Sequence, residues 1–154
     1  GNTLLAEERI RSGSPLHALR GLARLKMVAR HTGADRDPWI ADRIAQAELL
    51  VMVAEATYLD ALERLQAGRT DMGDSATLKV LGSETAQFVL EVLQEAAGEH
   101  AAIKSARSFD EAHPDTSQTF IQSRKLSIWG GTNEIQRGII AVRVVGLPRG
   151  GKDA

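Results

Sequence analysis

The residues best suited to bind a polar or charged ligand lie near the C-terminus, around the adjacent glycines Gly130 and Gly131. Paired glycines permit left-handed backbone angles and close approach to another molecule. Thr132 then has the character of a helix N-cap, and Glu134 falls in the first turn, where a negative charge suits the helix dipole. A glycine loop that leads into a capped helix presents backbone N–H groups to an anion or a polar cofactor.

The same string also has a purely structural interpretation. Ile135, Ile139 and Val142 follow at helical spacing, as in an ordinary amphipathic helix. Short glycine motifs often occur by chance, so the spacing alone favours a turn before a packed helix over a ligand site.

The complete string is more specific than its spacing. It reads Ile-Trp-Gly-Gly-Thr-Asn-Glu-Ile-Gln-Arg-Gly-Ile-Ile over residues 128–140, and Val-Val-Gly-Leu-Pro-Arg over residues 144–149. This resembles the end of the acyl-CoA dehydrogenases, and a weaker likeness extends over most of the chain. The resemblance implies that residues 1–154 form the C-terminal helical domain of such a flavoenzyme. The N-terminal helical domain and the middle β-domain of that family are expected to be absent here.

The resemblance also implies a reaction and a base. In this family a carboxylate removes the α-proton of an acyl-CoA thioester while the β-hydrogen leaves as hydride to FAD. Such a base must lie within hydrogen-bond reach of the substrate in a dry cleft. In many members it is a glutamate directly after the aromatic residue of the terminal motif. Here Gly130 follows Trp129, and glycine cannot accept a proton.

A second branch of the family carries its glutamate in a Glu-Arg pair on the first helix of this domain. Glu8-Arg9, followed by Gly-Ser-Pro-Leu at residues 13–16, resembles that pair. In the family fold both positions face the same cleft, so Glu8 is the candidate catalytic base. The alternatives are that Glu8 is a solvated charge near the start of the chain, or that this subunit has no base, as in some mixed assemblies.

The resemblance places FAD against Thr132 and Glu134, beside the glycines of the motif, and helix capping by Thr132 is compatible with that role. Trp129 either lines the acyl or flavin cleft or is an ordinary core tryptophan. Gly130 and Gly131 complete the cofactor-binding candidates in this loop.

Two further FAD candidates lie far from the loop in sequence. Arg30 stands where the family has an arginine that reaches the FAD of a neighbouring subunit, although the usual aromatic residue does not follow it. Gly98 resembles the glycine of a Gln-x-x-Gly segment, but Glu95 stands in place of the glutamine. An acid near phosphates is unfavourable, which weakens that contact.

Other chemistries find little support in the sequence. There is no cysteine, and the histidines are His17, His31, His100 and His113. No Glu-x-x-His occurs, as a di-iron helical bundle would need, so no metal site is expected. A Gly-x-Ser-x-Gly elbow of the hydrolases is also absent.

The hydrophobic pattern predicts the elements that position these residues. Ser14 and Pro15 read as the cap and first residue of a helix that Gly33 ends. Residues 38–67 form the clearest helix, with an apolar seam of period 3.5. A polar break from Gly68 to Gly73 follows it. Asp74 or Ser75 would cap a third helix, which Gly98 ends.

A short helix before Trp129 and a last one from about Thr132 to Val145 complete the prediction. The short breaks between helices imply antiparallel neighbours. The expected fold class is therefore all-α, an up-down bundle of four main helices.

Length, charge and hydropathy limit the number of domains and the classes of partner to expect. One domain is expected for 154 residues. The net charge of −1 argues against a nucleic-acid surface. No apolar run approaches the roughly 18–20 residues of a membrane span, no signal peptide is visible, and a cytoplasmic location is the default expectation.

The expected function is thus that of the C-terminal domain of an FAD-dependent acyl-CoA dehydrogenase, an oxidoreductase of fatty acid metabolism in the wide sense. Such a domain contributes part of the FAD and substrate cleft and the interface of a homo- or hetero-oligomer, and alone it should be inactive. Its partners would be an acyl-CoA, fatty, branched or steroid, and an electron-transfer flavoprotein. The alternative is a helical scaffold or interaction module without a catalytic base.

Overall fold

The computed structural model describes residues 10, 13–69, 71–102 and 116–148. Within these ranges the α-helices are α1 (Leu16–Thr32), α2 (Pro38–Gln66), α3 (Met72–Ala97), α4 (Thr116–Ser123) and α5 (Asn133–Arg143). Short 3-10 turns occupy Ala34–Arg36, Gly98–Ala102 and Arg124–Ser127. The described ranges contain no strand, and the all-α prediction is confirmed.

Helices α1 and α3 run parallel and pack directly on each other. Gly21 lies against the side chain of Val89, and a Cβ at that position would approach Cγ1 of Val89 to 3.0 Å. Further along, the hydroxyl of Thr32 donates to the carbonyl of Ala96 at 2.9 Å. Because the partners advance together along both helices, the two axes stay in contact over most of α1.

Helices α2 and α5 run in the opposite direction to α3. Near the start of α2, Arg43 pairs with Glu95 at the end of α3. Near the end of α2, Ala61 packs with Leu78 at the start of α3. The bundle is therefore up-down in its connections, as predicted.

Helix α3 is the centre of the bundle, because each of the other helices packs against it. Its buried side chains lie on several faces rather than along one seam. The largest of them that are fully buried are Leu78, Thr85, Val89, Val92 and Leu93. Buried residues of the predicted seam of α2 pack against it: Ile40, Ala47, Val51 and Ala61. The seam prediction for α2 is confirmed, and α3, at the centre, is buried on several faces.

The ends of the helices differ from the prediction at two places. The cap of α3 is Asp71, not Asp74 or Ser75. Its carboxylate accepts hydrogen bonds from the backbone of Gly73 and Asp74, and Asp74 reaches back to the N–H of Asp71. This reciprocal capping box starts the helix earlier and places Gly73 inside it.

Helix α1 starts one residue later than predicted. Pro15 is the residue before its first turn, and the hydroxyl of Ser14 accepts only a long hydrogen bond, 3.4 Å, from the N–H of Leu16. Both predicted helix ends are confirmed, since Gly33 and Gly98 have φ angles of 77° and 56°. Left-handed angles of this kind are cheap only for glycine.

Helix α5 is capped by Thr132, as predicted, whose hydroxyl accepts from the N–H of Ile135 at 3.5 Å. Its apolar residues are less buried than the spacing suggested, because Ile135 is 60% exposed. The residue of α5 that is fully inserted into the bundle is the polar Asn133. The prediction that Ile135 belongs to a packed face is wrong for this chain.

Candidate functional site

The glycine loop before α5 has a backbone that requires both of its glycines. Gly130 and Gly131 have φ angles of 68° and 94°. The side-chain amide of Gln136 donates to the carbonyl of Gly130 at 3.0 Å and closes the loop. A Cβ on Gly131 would lie 2.5 Å from that amide, whereas the space around Gly130 is open. The loop therefore exposes backbone at Gly130 and is fixed at Gly131.

Glu134 places a negative charge at the start of α5. Its pKa is lowered because its carboxylate accepts hydrogen bonds from its own backbone N–H and from the hydroxyl of Thr132. The carboxylate thus satisfies part of the helix N-terminus itself. A ligand that meets this turn finds a hydroxyl and a carboxylate, a set that accepts hydrogen bonds from O–H and N–H groups.

A buried polar network joins the first turn of α5 to α3. Asn133 is 3% exposed, and its amide oxygen accepts a hydrogen bond from the ammonium of Lys79 at 2.5 Å. Its amide nitrogen donates to Ser83 and to Glu84, each at 3.0 Å. Glu84 also binds Arg137, one turn further along α5. This network fixes the position along the α3 axis at which the glycine loop contacts that helix.

Lys79 was not among the predicted site residues. Its place between the apolar residues Leu78 and Val80 is the sequence feature that could have indicated a buried lysine. Only 6% of its surface is exposed. Burial lowers the pKa of Lys79, and the neighbouring carboxylates of Glu134 and Glu84 partly offset this by raising it. Its partner Asn133 stands directly after the predicted cap, a position that spacing alone does not distinguish.

A small cavity of about 200 Å³ lies between the glycine loop, the start of α1 and the first half of α3. Its lining includes Ser14, His17, Lys79, Ser83, Trp129 and Gly130. Close backbone contact forms this corner, since a Cβ on Gly13 would lie 2.6 Å from Cβ of Leu78. The terminal motif and the beginning of α1 therefore face one cavity.

Glu8, the candidate base, lies outside the described residues. The structure does describe two residues that follow it, Ile10 and Gly13. Ile10 is buried beside Ala61 and Leu78, and its carbonyl accepts from the N–H of Gly13 at 3.0 Å.

A larger cleft of about 740 Å³ adjoins the small cavity. It lies between α1 and α4 and shares His17, Leu126 and Trp129 with the small cavity. Trp129 is 66% exposed, so the prediction of an ordinary core tryptophan is excluded. The ammonium of Lys125 stacks on its ring, 4.6 Å from the centroid.

The remaining FAD candidates lie at the other end of the bundle. Gly98 lines a cavity of about 590 Å³ with His31, Thr32 and Glu95. Arg30 is exposed on the last turn of α1, beside but not in that lining. The carboxylate of Glu95 pairs with Arg43 at 2.8 Å, so its negative charge is offset, and the expected repulsion of phosphates is reduced.

The predicted cofactor residues thus fall into two separate patches. Ser83, beside the glycine loop, and Gly98 are fifteen residues apart on α3, which corresponds to about 22 Å at 1.5 Å per residue. The structure brings Trp129, Gly130, Gly131, Thr132 and Glu134 together in one patch and Gly98 near Arg30 in another.

Two negative observations apply to the described residues. No helix there has both the length and the hydropathy of a membrane-spanning segment. In the same ranges, no three side chains of His, Asp or Glu converge as metal ligands do.

Comparison with known proteins agrees with this geometry. The family model described as acyl-CoA dehydrogenase, C-terminal domain, matches residues 2–145. The acyl-CoA dehydrogenase IpdE1 of Mycolicibacterium smegmatis is 30% identical over 137 residues, which cover 89% of this chain and 33% of that protein. The IpdE1 of Mycobacterium tuberculosis is also 30% identical, over 140 residues, 91% of this chain and 35% of the relative. The chain spans about a third of the length of these curated relatives.

Solved structures share the fold at lower identity. The Tcur3481-Tcur3483 steroid ACAD superposes with a TM-score of 0.84 at 21% identity, covering 94% of this chain and 38% of that one. The ChsE4-ChsE5 complex from Mycobacterium tuberculosis gives a TM-score of 0.74 at 23% identity, covering 90% and 36%. With the family model matched over nearly the whole chain, the protein belongs to the acyl-CoA dehydrogenase family and carries its C-terminal helical domain.

Proposed function

We propose that this chain is the part of an FAD-dependent acyl-CoA dehydrogenase that supplies one wall of the FAD and substrate cleft and the oligomer interface. The reaction is the α,β-dehydrogenation of an acyl-CoA thioester, with an electron-transfer flavoprotein as the electron acceptor and the cytoplasm as the location. The observation that carries this proposal is the small cavity at which the Trp129–Gly130 loop meets the start of α1.

The residues of the loop fit the cofactor that the family implies. Gly130 leaves open space beside exposed backbone, and Thr132 and Glu134 offer hydrogen-bonding oxygens in the next turn. Trp129 adds an exposed aromatic face. We assign Trp129, Gly130, Gly131, Thr132 and Glu134 to FAD, which accepts the β-hydrogen as hydride when it is bound.

Arg30 and Gly98 belong to a second contact in this proposal. They lie about 22 Å from the loop along the bundle, too far for the same end of one cofactor. We assign them to the FAD of a neighbouring subunit, which makes the cleft incomplete in a single chain. The neighbour is a second copy or a related subunit, and the two-protein names of the structural relatives support a mixed assembly.

Glu8 is the proposed base that takes the α-proton. Two described residues close to it in the sequence contact α3: Ile10 packs beside Leu78, and Gly13 lies tightly against the same leucine. The small cavity, which Trp129 also lines, begins at Ser14, the residue after Gly13. A carboxylate that reaches this cavity would lie within hydrogen-bond distance of a substrate bound at the loop. Gly130 takes no part in proton transfer.

The test is the Glu8→Gln variant of the full-length protein, assembled with any partner subunit. The change keeps the shape of the side chain but removes its basicity. We expect turnover of acyl-CoA to fall by about 10²–10⁴-fold while the flavin absorbance of the purified protein is unchanged. Turnover within about threefold of wild type would show that Glu8 is not the base.

A second substitution distinguishes a displaced base from a subunit without one. Gly130→Glu places a carboxylate beside the same cavity, where a Cβ meets no atom within 4 Å. The left-handed φ of 68° adds strain of about 1–2 kcal/mol for a non-glycine residue. Partial recovery in the Glu8→Gln/Gly130→Glu double variant supports a shared cleft. If wild type itself is inactive and only Gly130→Glu is active, the chain acts as the scaffold subunit of a mixed assembly.

A further inference from the structure

The cleft between α1 and α4 has a cationic rim. Arg20 and Arg24 line it from α1, and Lys125 lines it from the turn after α4. None of the three side chains lies within 4.0 Å of a carboxylate of the described residues. No aspartate or glutamate is among the described residues that line it. Three positive charges therefore face one cavity without an anionic partner in the part of the chain that the structure describes.

The floor of this cleft is apolar. Leu90 of α3 is buried beneath it, and Leu126 lies beside Trp129 at the junction with the small cavity. The volume of about 740 Å³ is within the range of small-molecule sites, roughly 300–1,000 Å³. A ligand that matches this lining has an apolar body and an anionic end.

Polar contacts hold the cations over the cleft. The guanidinium of Arg24 donates to the hydroxyl of Thr119 on α4, at 3.3 Å, and so spans the two walls. The ammonium of Lys125 donates to Gln122 at 2.9 Å and rests on the ring of Trp129. Neutral partners of this kind orient a charge without neutralising it, and guanidinium groups bind carboxylates through paired hydrogen bonds.

We propose that this cleft takes the far end of the acyl group and that the acyl group ends in a carboxylate. The inference rests on the proposed function, because His17, Leu126 and Trp129 connect the cleft to the cavity assigned to the reaction. A substrate whose α-carbon lies at the Trp129–Gly130 loop extends its acyl body over Leu126 and Leu90. Its terminal carboxylate then meets Arg20 and Arg24. Coenzyme A carries its phosphates at the far end of the pantetheine arm from the thioester, whereas the cationic rim lies on the side of the loop assigned here to the acyl group.

The experiment compares two kinds of substrate on the full-length holoenzyme. One is a series of dicarboxylic acids of increasing length carried as mono-CoA esters, and the other is the monocarboxylic series of the same lengths. We expect kcat/KM to favour the dicarboxylic ester by about tenfold or more at one length, as for a charge-assisted hydrogen bond. In the Arg20→Gln/Arg24→Gln variant that preference falls to near one, because kcat/KM drops for the dicarboxylic esters much more than for the monocarboxylic ones.

The control variant is Arg36→Gln, since Arg36 is exposed in the turn after α1 and lines neither cavity. It should keep the preference of the wild type. If both series react equally well and the double variant changes nothing, the inference is wrong while the dehydrogenase proposal stands. An equal loss for both series in the double variant assigns the cations to the coenzyme A phosphates and also overturns the inference.

A readout without turnover separates the two proposals. Calorimetry measures binding of the free dicarboxylic acids to wild type and to the double variant. If no ester of either series is oxidised by the flavin-loaded protein, the proposed function fails. Binding of the diacid that is lost with Arg20 and Arg24 still supports the anionic cleft in that case, and equal binding to both proteins refutes it.

Discussion

The ammonium of Lys79 lies 2.5 Å from the amide oxygen of Asn133, inside the interface between α3 and α5. The two residues are 54 positions apart in the sequence. Their contact fixes the first turn of α5 against α3 and so positions the glycine loop that precedes it. The loop that lines the small cavity is therefore held on α3 by a buried polar contact rather than an apolar one.

Removing only one partner of this contact should be costly. Asn133→Leu leaves a buried ammonium without its acceptor, and we expect the free energy of unfolding to fall by about 3 kcal/mol. The Lys79→Met/Asn133→Leu double variant should recover most of that loss, because the buried charge is gone as well. Urea denaturation of the 154-residue chain measures both.

The matched control for this pair is Gln46→Leu, an exposed amide that binds Asp42 on the surface of α2. It should change the free energy of unfolding by less than about 0.5 kcal/mol. A double variant as unstable as the sum of the two single variants would contradict the pairing of Lys79 with Asn133.

Stability should rise with pH through the titration of Lys79. Burial lowers its pKa in the folded chain below the ordinary value of 10.5. Between the lowered pKa and 10.5, the unfolded chain binds more protons than the folded chain, so the free energy of unfolding increases with pH in that window. We expect wild type to become more stable relative to Lys79→Met as the pH approaches 10.5. A difference that stays constant in urea titrations across this range would refute the buried charge.

The contact of Gly13 with α3 can be tested with one methyl group. Gly13→Ala places a Cβ 2.6 Å from Cβ of Leu78 and 2.9 Å from its carbonyl carbon, and helix backbone cannot move aside. We expect a loss of about 1–3 kcal/mol in the free energy of unfolding. Gly138→Ala, in the open on α5, should instead stabilise by about 0.5–1 kcal/mol. Thermal or urea denaturation that finds the two variants alike would exclude the close approach.

Helix α2 carries a second apolar stripe that faces away from the core. Leu49, Met52 and Val53 are each more than half exposed. Exposed apolar stripes of this kind mark association surfaces, so we expect dimers or tetramers. Leu49→Lys/Val53→Lys should give a smaller species by sedimentation at about 100 µM, a concentration above affinities of order 1 µM. Glu63→Lys, an exposed polar position on the same helix, should leave the assembly intact, and a wild-type monomer at that concentration would contradict the interface.

The sequence alone predicted the helices well because their signals are local. Gly33 and Gly98 end α1 and α3, and Thr132 caps α5, as expected. These features depend on backbone angles and on hydrogen bonds between residues at most a few positions apart. The cap of α3 was predicted too late, since Asp71, Asp74 and Ser75 all have capping side chains, and the reciprocal hydrogen bonds of Asp71 and Asp74 place Gly73 inside the helix.

The sequence by itself thus determined an all-α bundle, the ends of α1 and α3, the cap of α5 and, through one specific string, the family of the chain. The tertiary structure decided which residues share a site. It separated Gly98 from the glycine loop, exposed Trp129, and joined Lys79 to Asn133. It also placed Arg20 and Lys125, more than a hundred residues apart, on one cleft. Periodicity and capping act within a turn or two of helix. Contacts between residues distant in sequence depend instead on which helices lie side by side and on their relative positions along their axes.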